Sequence, residues 1–221
     1  MKIIELKETI TASNDRDAEV LRKEMKEKGT LLINLMASPG AGKTTLLEST
    51  ISLIKDEFKV GVMEADVDSD VDAVRVEMAG AKAIQVHTGG MCHMDAGMTR
   101  HGLEELDYEG LDIVFLENVG NLICPAEFDT GAGLKVMILS TPEGDDKPLK
   151  YPLMFSESDV LIISKMDVKD YFDFDLDKCI NRAKKLNPDI KVFPLSSKTK
   201  EGFDDWIKWL KDNIKKWKER A

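Results

Sequence analysis

Apolar residues in this chain gather in short runs rich in valine, isoleucine and leucine, separated by longer stretches with helical periodicity. The runs predict strands at 31–37, 59–64, 82–87, 112–117, 134–139, 160–164 and 191–195. Runs such as "DIVFLE" and "DVLIIS" are continuously apolar instead of alternating, the pattern of strands covered on both faces. Helical patterns are predicted at 44–57, 72–79, 96–106, 176–186 and 202–218. The alternation predicts an α/β fold, a mainly parallel sheet of about seven strands with helices on both faces. "SNDRDAEVLRKEMKEKG" begins with the cap-like Ser13 or Asn14 and ends at Gly29, so residues 1–29 are expected to form a helical extension. Residues 30–221 are expected to form the rest of a single domain. "STPEGDDKPLKYP" is the most loop-like interior stretch. In the last helix Trp206, Leu210, Ile214 and Trp217 share one face. A terminal helix docked on the domain, with its lysines in solvent, is expected in preference to one lying on a membrane.

Composition narrows the function. A length of 221 residues supplies one ample core. The formal charge of −10 argues against a broad nucleic-acid surface, which needs positive charge to displace counterions. "MKIIELKETI" lacks the apolar centre of a signal peptide, and no run reaches the ~18 apolar residues of a membrane span. Three cysteines do not suggest a disulfide framework. The expected location is the cytoplasm, where cysteines can be buried fillers or metal ligands.

"INLMASPGAGKTTLLES" is the sharpest local signal. A strand ends in a glycine-containing loop, then Lys43 and Thr44 open a helix. A phosphate chain needs this order: small residues let backbone N–H groups approach its oxygens, and the helix N-terminus adds partial positive charge. Gly40, Ala41, Gly42, Lys43, Thr44 and Thr45 are the candidate phosphate-binding residues. Lys43 reaches the β- and γ-phosphates and the Thr44 hydroxyl binds Mg²⁺. Ala37 stands where the usual pattern has its first glycine. Glu117 ends "DIVFLE", the place of a second Mg²⁺ element, and "EADVDSDVDAVR" offers Asp66, Asp68, Asp70 and Asp72. "IISKMD" places Asp167 two residues after Lys165, a carboxylate able to accept from guanine N1–H and its exocyclic amine. That implies GTP, although Ser164 replaces the usual asparagine. "FPLSSKTKEG" supplies Ser196, Ser197 and Lys198 as a loop closing over the base.

"TGGMCHMDAGMTRH" holds one of three cysteines and two of three histidines. Cys92 and His93 lie just past the third predicted strand, and Cys124 lies seven positions beyond Glu117, at most ~25 Å of extended chain. Loops at the carboxyl ends of parallel strands form the ligand edge, so these side chains should share an edge with the nucleotide. Two thiolates and an imidazole suit Zn²⁺ and can bind Ni²⁺. The plainer alternative is a buried Cys92, a solvent-facing His93 and an unrelated Cys124. His101 could add a ligand. His87 and Cys179 are expected to be packing residues.

With these motifs in hand, the chain resembles the HypB family of hydrogenase nickel-incorporation GTPases over about residues 30 to 205. The resemblance is carried by "SPGAGKTTLLE", "EADVDSDVDAVR", "TGGMCHMDAGM", "LENVGNLICPAEFD", "STPEGDDKPLKYPLMF", "SKMD" and "SSKTKEGF". It implies a G domain of the nickel-handling, SIMIBI-like branch of P-loop NTPases, which hydrolyses GTP to GDP and phosphate with Mg²⁺. It implies a homodimer that delivers nickel to a hydrogenase large-subunit precursor, helped by a nickel accessory protein. It assigns Asp66 and Asp72 to the nucleotide and Mg²⁺, with Asp66 the candidate for orienting water and Asp68 and Asp70 bystanders. Cys92, His93 and Cys124 become a metal site at the dimer interface. Ala65 departs from the family's glycine, and residues 1–30 lack the cysteine-rich or histidine-rich stretches of many relatives. High-capacity nickel storage is therefore not expected. Two other readings are a urease-maturation GTPase, favoured by Cys-Pro-His in place of "MCHMD", and a regulatory protein that senses metal and nucleotide without delivering metal.

Overall fold

The computed structural model describes residues 6–65 and 71–219. Seven strands form one all-parallel sheet: β1 (Leu31–Ala37), β2 (Val60–Glu64), β3 (Lys82–Gln85), β4 (Ile113–Glu117), β5 (Leu134–Ser140), β6 (Val160–Ser164) and β7 (Lys191–Pro194). Their spatial order is β3-β2-β4-β1-β5-β6-β7. The helices are α1 (Leu6–Glu27), α2 (Lys43–Ile54), α3 (Val71–Ala79), α4 (Ala96–Leu106), α5 (Cys124–Glu127), α6 (Lys147–Lys150), α7 (Pro152–Ser156), α8 (Leu176–Leu186) and α9 (Phe203–Glu219).

The continuous apolar runs are explained by covering on both faces. On β1, Ile33 and Leu35 pack with Leu46, Ile51 and Ile54 of α2 and with Trp206, Leu210 and Ile214 of α9. On the other face, Leu32 meets Leu21 and Met25 of α1 and Leu103 and Leu106 of α4. Further along that face, Met137 and Leu161 pack under Phe155 of α7 and Cys179 and Ala183 of α8. Each fully buried Leu, Ile or Phe side chain contributes ~1.5–3 kcal/mol relative to exposure. Alternate residues of the same strand feed both layers, so β1 is held from above and below. Its carboxyl end, from which the phosphate-binding loop springs, is fixed as firmly as any part of the core.

The last helix is docked on the domain. Trp206 Nε1 donates to Thr50 Oγ1 at 3.1 Å and Trp217 Nε1 donates to the Thr30 carbonyl at 3.0 Å. No helix among the described residues is long and apolar enough to cross a membrane.

Several boundaries differ from the sequence reading. The first helix extends back to Leu6. Asn14 does not cap it: its side chain donates to the Asp129 carbonyl and accepts from Ala96 N–H, both at 2.9 Å. The third strand stops at Gln85, so His87 is an exposed loop residue and not a packing residue. Cys179 is fully buried in α8, and burial pushes its thiol up to about 12. The stretch read as a loop, 140–152, contains a 3₁₀ turn at Thr141–Glu143, then α6 and the start of α7. Glu143 closes a capping box by accepting from Ser140 N–H and Ser140 Oγ, at 2.8 and 2.7 Å. Asp145 then accepts from Arg182 and from Asp175 N–H, tying the segment to α8.

Candidate functional site

A cleft of ≈ 550 Å³ opens at the carboxyl ends of β1, β2 and β4, bounded by Pro39, Lys43, Thr44, Glu64 and Glu117. The loop from β1 turns through Gly40 and then Gly42, which precedes α2 with φ 98°. A side chain rarely adopts that φ, so glycine is the residue that lets α2 start here with its free N–H groups facing the cleft. Thr44 Oγ1 donates to Glu117 Oε1 at 3.1 Å, and Lys43 Nζ lies 4.0 Å from the same oxygen. All three residues are nearly buried. A hydroxyl and a carboxylate at this separation are hard oxygen donors of the kind Mg²⁺ takes, and Lys43 stands ready for phosphate. Arg75 of α3 also borders the cleft, forked onto Glu48 of α2 at 3.0 and 2.7 Å. Asp66 lies outside the described residues, as do Asp68 and Asp70. Asp72 falls in the first turn of α3, and its side chain is likewise outside the description.

Beside this cleft a second hollow of ≈ 320 Å³ is bordered by Ala41, Thr45, Lys165, Asp167, Ser197 and Lys198. Ser196 is fully buried and stands behind it: Ser196 Oγ donates to Asp167 Oδ1 at 2.7 Å and accepts from the N–H groups of Lys198 and Thr199. It orients the carboxylate from a position outside the hollow's lining. Ser164, at the usual asparagine position, donates to the Ala41 carbonyl at 2.8 Å, and Lys165 Nζ donates to the Gly40 carbonyl at 2.7 Å. Both join this loop to the phosphate loop.

Cys92, His93 and Cys124 come together: one ligand atom from each lies within 4.8 Å of the others. Cys92 Sγ is 3.0 Å from Cys124 Sγ and 3.7 Å from His93 Nδ1. A turn at Thr88–Met91, closed by Thr88 Oγ1 donating to the Met91 carbonyl at 2.8 Å, delivers the pair to the edge. His93 is buried and stacks on Phe128, with ring centres 3.9 Å apart. Burial pushes its imidazole below the ordinary range, opposed by Asp95 and Glu127, so the neutral, ligating form is favoured. The Cys92 thiol is raised, first by its hydrogen bond to Cys124 and then by burial. A cation between the sulfurs supplies the charge that two adjacent thiolates lack, which is the chemistry of a soft metal site. His101 is exposed on α4 and is not one of this group.

Sequence reasoning passed over two polar residues. Asn118, nearly fully buried, accepts from Met94 N–H at 3.2 Å and donates to Asn34 Oδ1 at 3.1 Å. Asn121 donates to the Cys92 carbonyl at 3.3 Å. The only signal for either was that both lie inside the distinctive "LENVGNLICPAEFD".

Residues 31–194 match the family described as the CobW/HypB/UreG nucleotide-binding domain. The chain is 44% identical over 211 residues to the hydrogenase maturation factor HypB of Azotobacter chroococcum mcd 1, covering 95% of this chain and 68% of that one. The chain belongs to the HypB family. HypB from Archaeoglobus fulgidus superposes with a TM-score of 0.86 at 40% identity, over 92% of this chain and 99% of that chain. HypB from Helicobacter pylori, solved in complex with nickel, gives 0.86 at 38% identity, over 92% and 96%. The HypB relationship accounts for the sheet and its loops: this is a P-loop GTPase fold.

Proposed function

We propose that the chain is a GTP-hydrolysing metallochaperone that assists nickel insertion into a [NiFe]-hydrogenase precursor. The observation that carries the reading is the placement of a Cys₂His group on the same sheet edge as a phosphate loop, in a chain of the HypB family. Mg²⁺, when bound, offsets charge on the phosphates and on the departing oxygen. The chain's own residues do the rest. Gly40, Ala41, Gly42 and Thr45 present the backbone to the phosphates, and Lys43 holds the β- and γ-oxygens. Thr44, Asp72 and Glu117 are the Mg²⁺ residues, and Asp66 orients the attacking water. Lys165 and Asp167, with Ser196, Ser197 and Lys198, read guanine.

Ni²⁺ or Zn²⁺ is the cargo, held by Cys92, His93 and Cys124. A second copy of the chain completes the site across a two-fold axis, so that GTP and metal both favour the homodimer. The handing-on partners are the hydrogenase large-subunit precursor and a nickel accessory protein, in the cytoplasm.

The test is reconstitution: purified chain, nickel, GTP and apo-precursor, with precursor nickel content and GTP turnover followed together. Turnover dependent on Mg²⁺ and nickel transfer dependent on GTP are expected, and Lys43→Ala abolishes both. A chain that turns over GTP and binds nickel yet transfers none to the precursor sinks delivery in favour of the sensing role.

A further inference from the structure

We propose that Asn118 and Asn121 are the positioning residues through which the nucleotide cleft and the metal-ligating group act on each other, an inference that rests on the function just proposed. Residues 117–124 touch both sites. At one end Glu117 accepts from the Thr44 hydroxyl at 3.1 Å; at the other Cys124 Sγ is 3.0 Å from Cys92 Sγ. Between them Gly120 lies against the phosphate loop so closely that a Cβ there would stand 2.9 Å from Pro39 Cγ and 3.1 Å from Pro39 N. Any movement of the loop on nucleotide binding is therefore met by the backbone of this segment.

The segment grips the other ligand loop at two points, the peptide that joins Cys92 to His93 and the peptide that follows His93. Asn118 Oδ1 accepts from Met94 N–H at 3.2 Å, the residue after His93, and from Val119 N–H at 2.9 Å. Asn121 Nδ2 donates to the carbonyl of Cys92 itself at 3.3 Å, while its Oδ1 accepts from Ile123 N–H at 2.9 Å, next to Cys124. A carboxamide suits this duty because one uncharged group both donates and accepts in a fixed geometry. The tolerance is small. A hydrogen bond of 3.2 Å is lost on a displacement well under ~1 Å, and a buried amide left unpaired disfavours the displaced arrangement. The loop carrying Cys92 and His93 therefore follows the segment, or the grip breaks.

Asn118 is also anchored inward. Its Nδ2 donates at 3.1 Å to Asn34 on β1, in a layer otherwise built of Leu32, Met63 and Leu116. Asn34 is 1% exposed, and its own Nδ2 has no partner among the described residues. A polar pair in that layer is costly if packing is all it does. As a fixed post on the strand that carries the phosphate loop, it gives Asn118 a reference point from which to hold Met94.

The experiment measures Ni²⁺ affinity of the full chain loaded with GDP and with a non-hydrolysable GTP analogue, for wild type, Asn118→Ala and Asn121→Ala. Guanine-nucleotide affinity without metal and a thermal melt are recorded alongside. In wild type the two Ni²⁺ affinities differ by a ratio in the ordinary range for coupled sites, about 5- to 150-fold, and in both variants the ratio falls to within about threefold of one. In Asn121→Ala, whose side chain borders neither hollow, nucleotide affinity without metal stays near wild type, which a general loosening of the fold would not leave untouched; Asn118 lines the cleft, so its variant is judged by the ratio alone. Variants that melt cooperatively and keep the wild-type ratio overturn the proposal, as does a wild type with equal Ni²⁺ affinity in the two states. If Asn118→Ala fails to fold, half-buried Asn121 decides through its own variant. A wild type that turns over no GTP or binds no nickel removes the function proposed above and this inference with it. That failure is seen in the wild type alone, before any variant is compared.

Discussion

Asp167 accepts from the Ser196 hydroxyl at 2.7 Å and borders the hollow next to the phosphate loop. With its carboxylate so oriented, Asp167→Asn reverses the polarity of one contact with the base. Loss of a hydrogen bond to a charged group costs ~1.5–3 kcal/mol, so GTP affinity should fall by about 10- to 150-fold while affinity for xanthosine triphosphate rises. Competition binding with both nucleotides checks it, and unchanged GTP affinity would remove Asp167 from the base site. The Lys165-x-Asp167 spacing was legible because it is local. The place of Ser196 was not, because it depends on two loops 29 residues apart meeting in space. The same holds for Asn118: its partners Asn34 and Met94 lie 84 and 24 residues away, and no spacing rule joins them.

At the scale of elements, α1 is joined to the domain by side chains as well as by its apolar face. Asn14 bridges the Asp129 carbonyl and Ala96 N–H, and Arg22 donates to the Ala132 carbonyl at 2.8 Å and pairs with Asp129. Asn14→Ala leaves two backbone groups without that partner, so a loss of about 1–3 kcal/mol is expected in urea unfolding. A variant within 0.5 kcal/mol or so of wild type would mean that water replaces the amide at little cost. The inner strands were legible because continuous apolar runs have few other uses in a chain of this length, while the four-residue edge strands β3 and β7, each opening on an exposed lysine, were legible from their place in the alternation of strand and helix. The short helices α5, α6 and α7 were not. They have four or five residues each, begin with proline at N1 or N2, and carry too few turns for a periodicity to register. Their order comes from contacts such as Asp145 with Arg182.

For the whole molecule, the cleft and the Cys₂His group share one edge of the sheet, and Met91 and Ile123 are exposed apolar residues beside Cys92 and Cys124. In sedimentation with a GTP analogue and Ni²⁺, wild type is expected to dimerise. Cys92→Ala and Cys124→Ala should abolish the metal's contribution, while GTP affinity measured without metal stays within about threefold of wild type, since neither side chain borders the nucleotide hollows. Metal-independent dimerisation of equal strength in wild type and variants would separate assembly from cargo.

The strand order has a kinetic consequence. β1 has no neighbour from its own part of the chain: Leu31 is paired in register with Ile113, 82 residues on, and Ile33 with Leu134, 101 residues on. Long loops must close before those pairings reward them, which slows acquisition of the native topology. During synthesis the phosphate-loop strand waits unpaired until β4, about half-way along the chain, is available, and lacks its second neighbour until β5 follows. Guanine nucleotide then recognises only finished molecules. At a hundredfold excess over its Kd it adds ~2.7 kcal/mol to their stability, so the ligand also selects the chains that have completed folding.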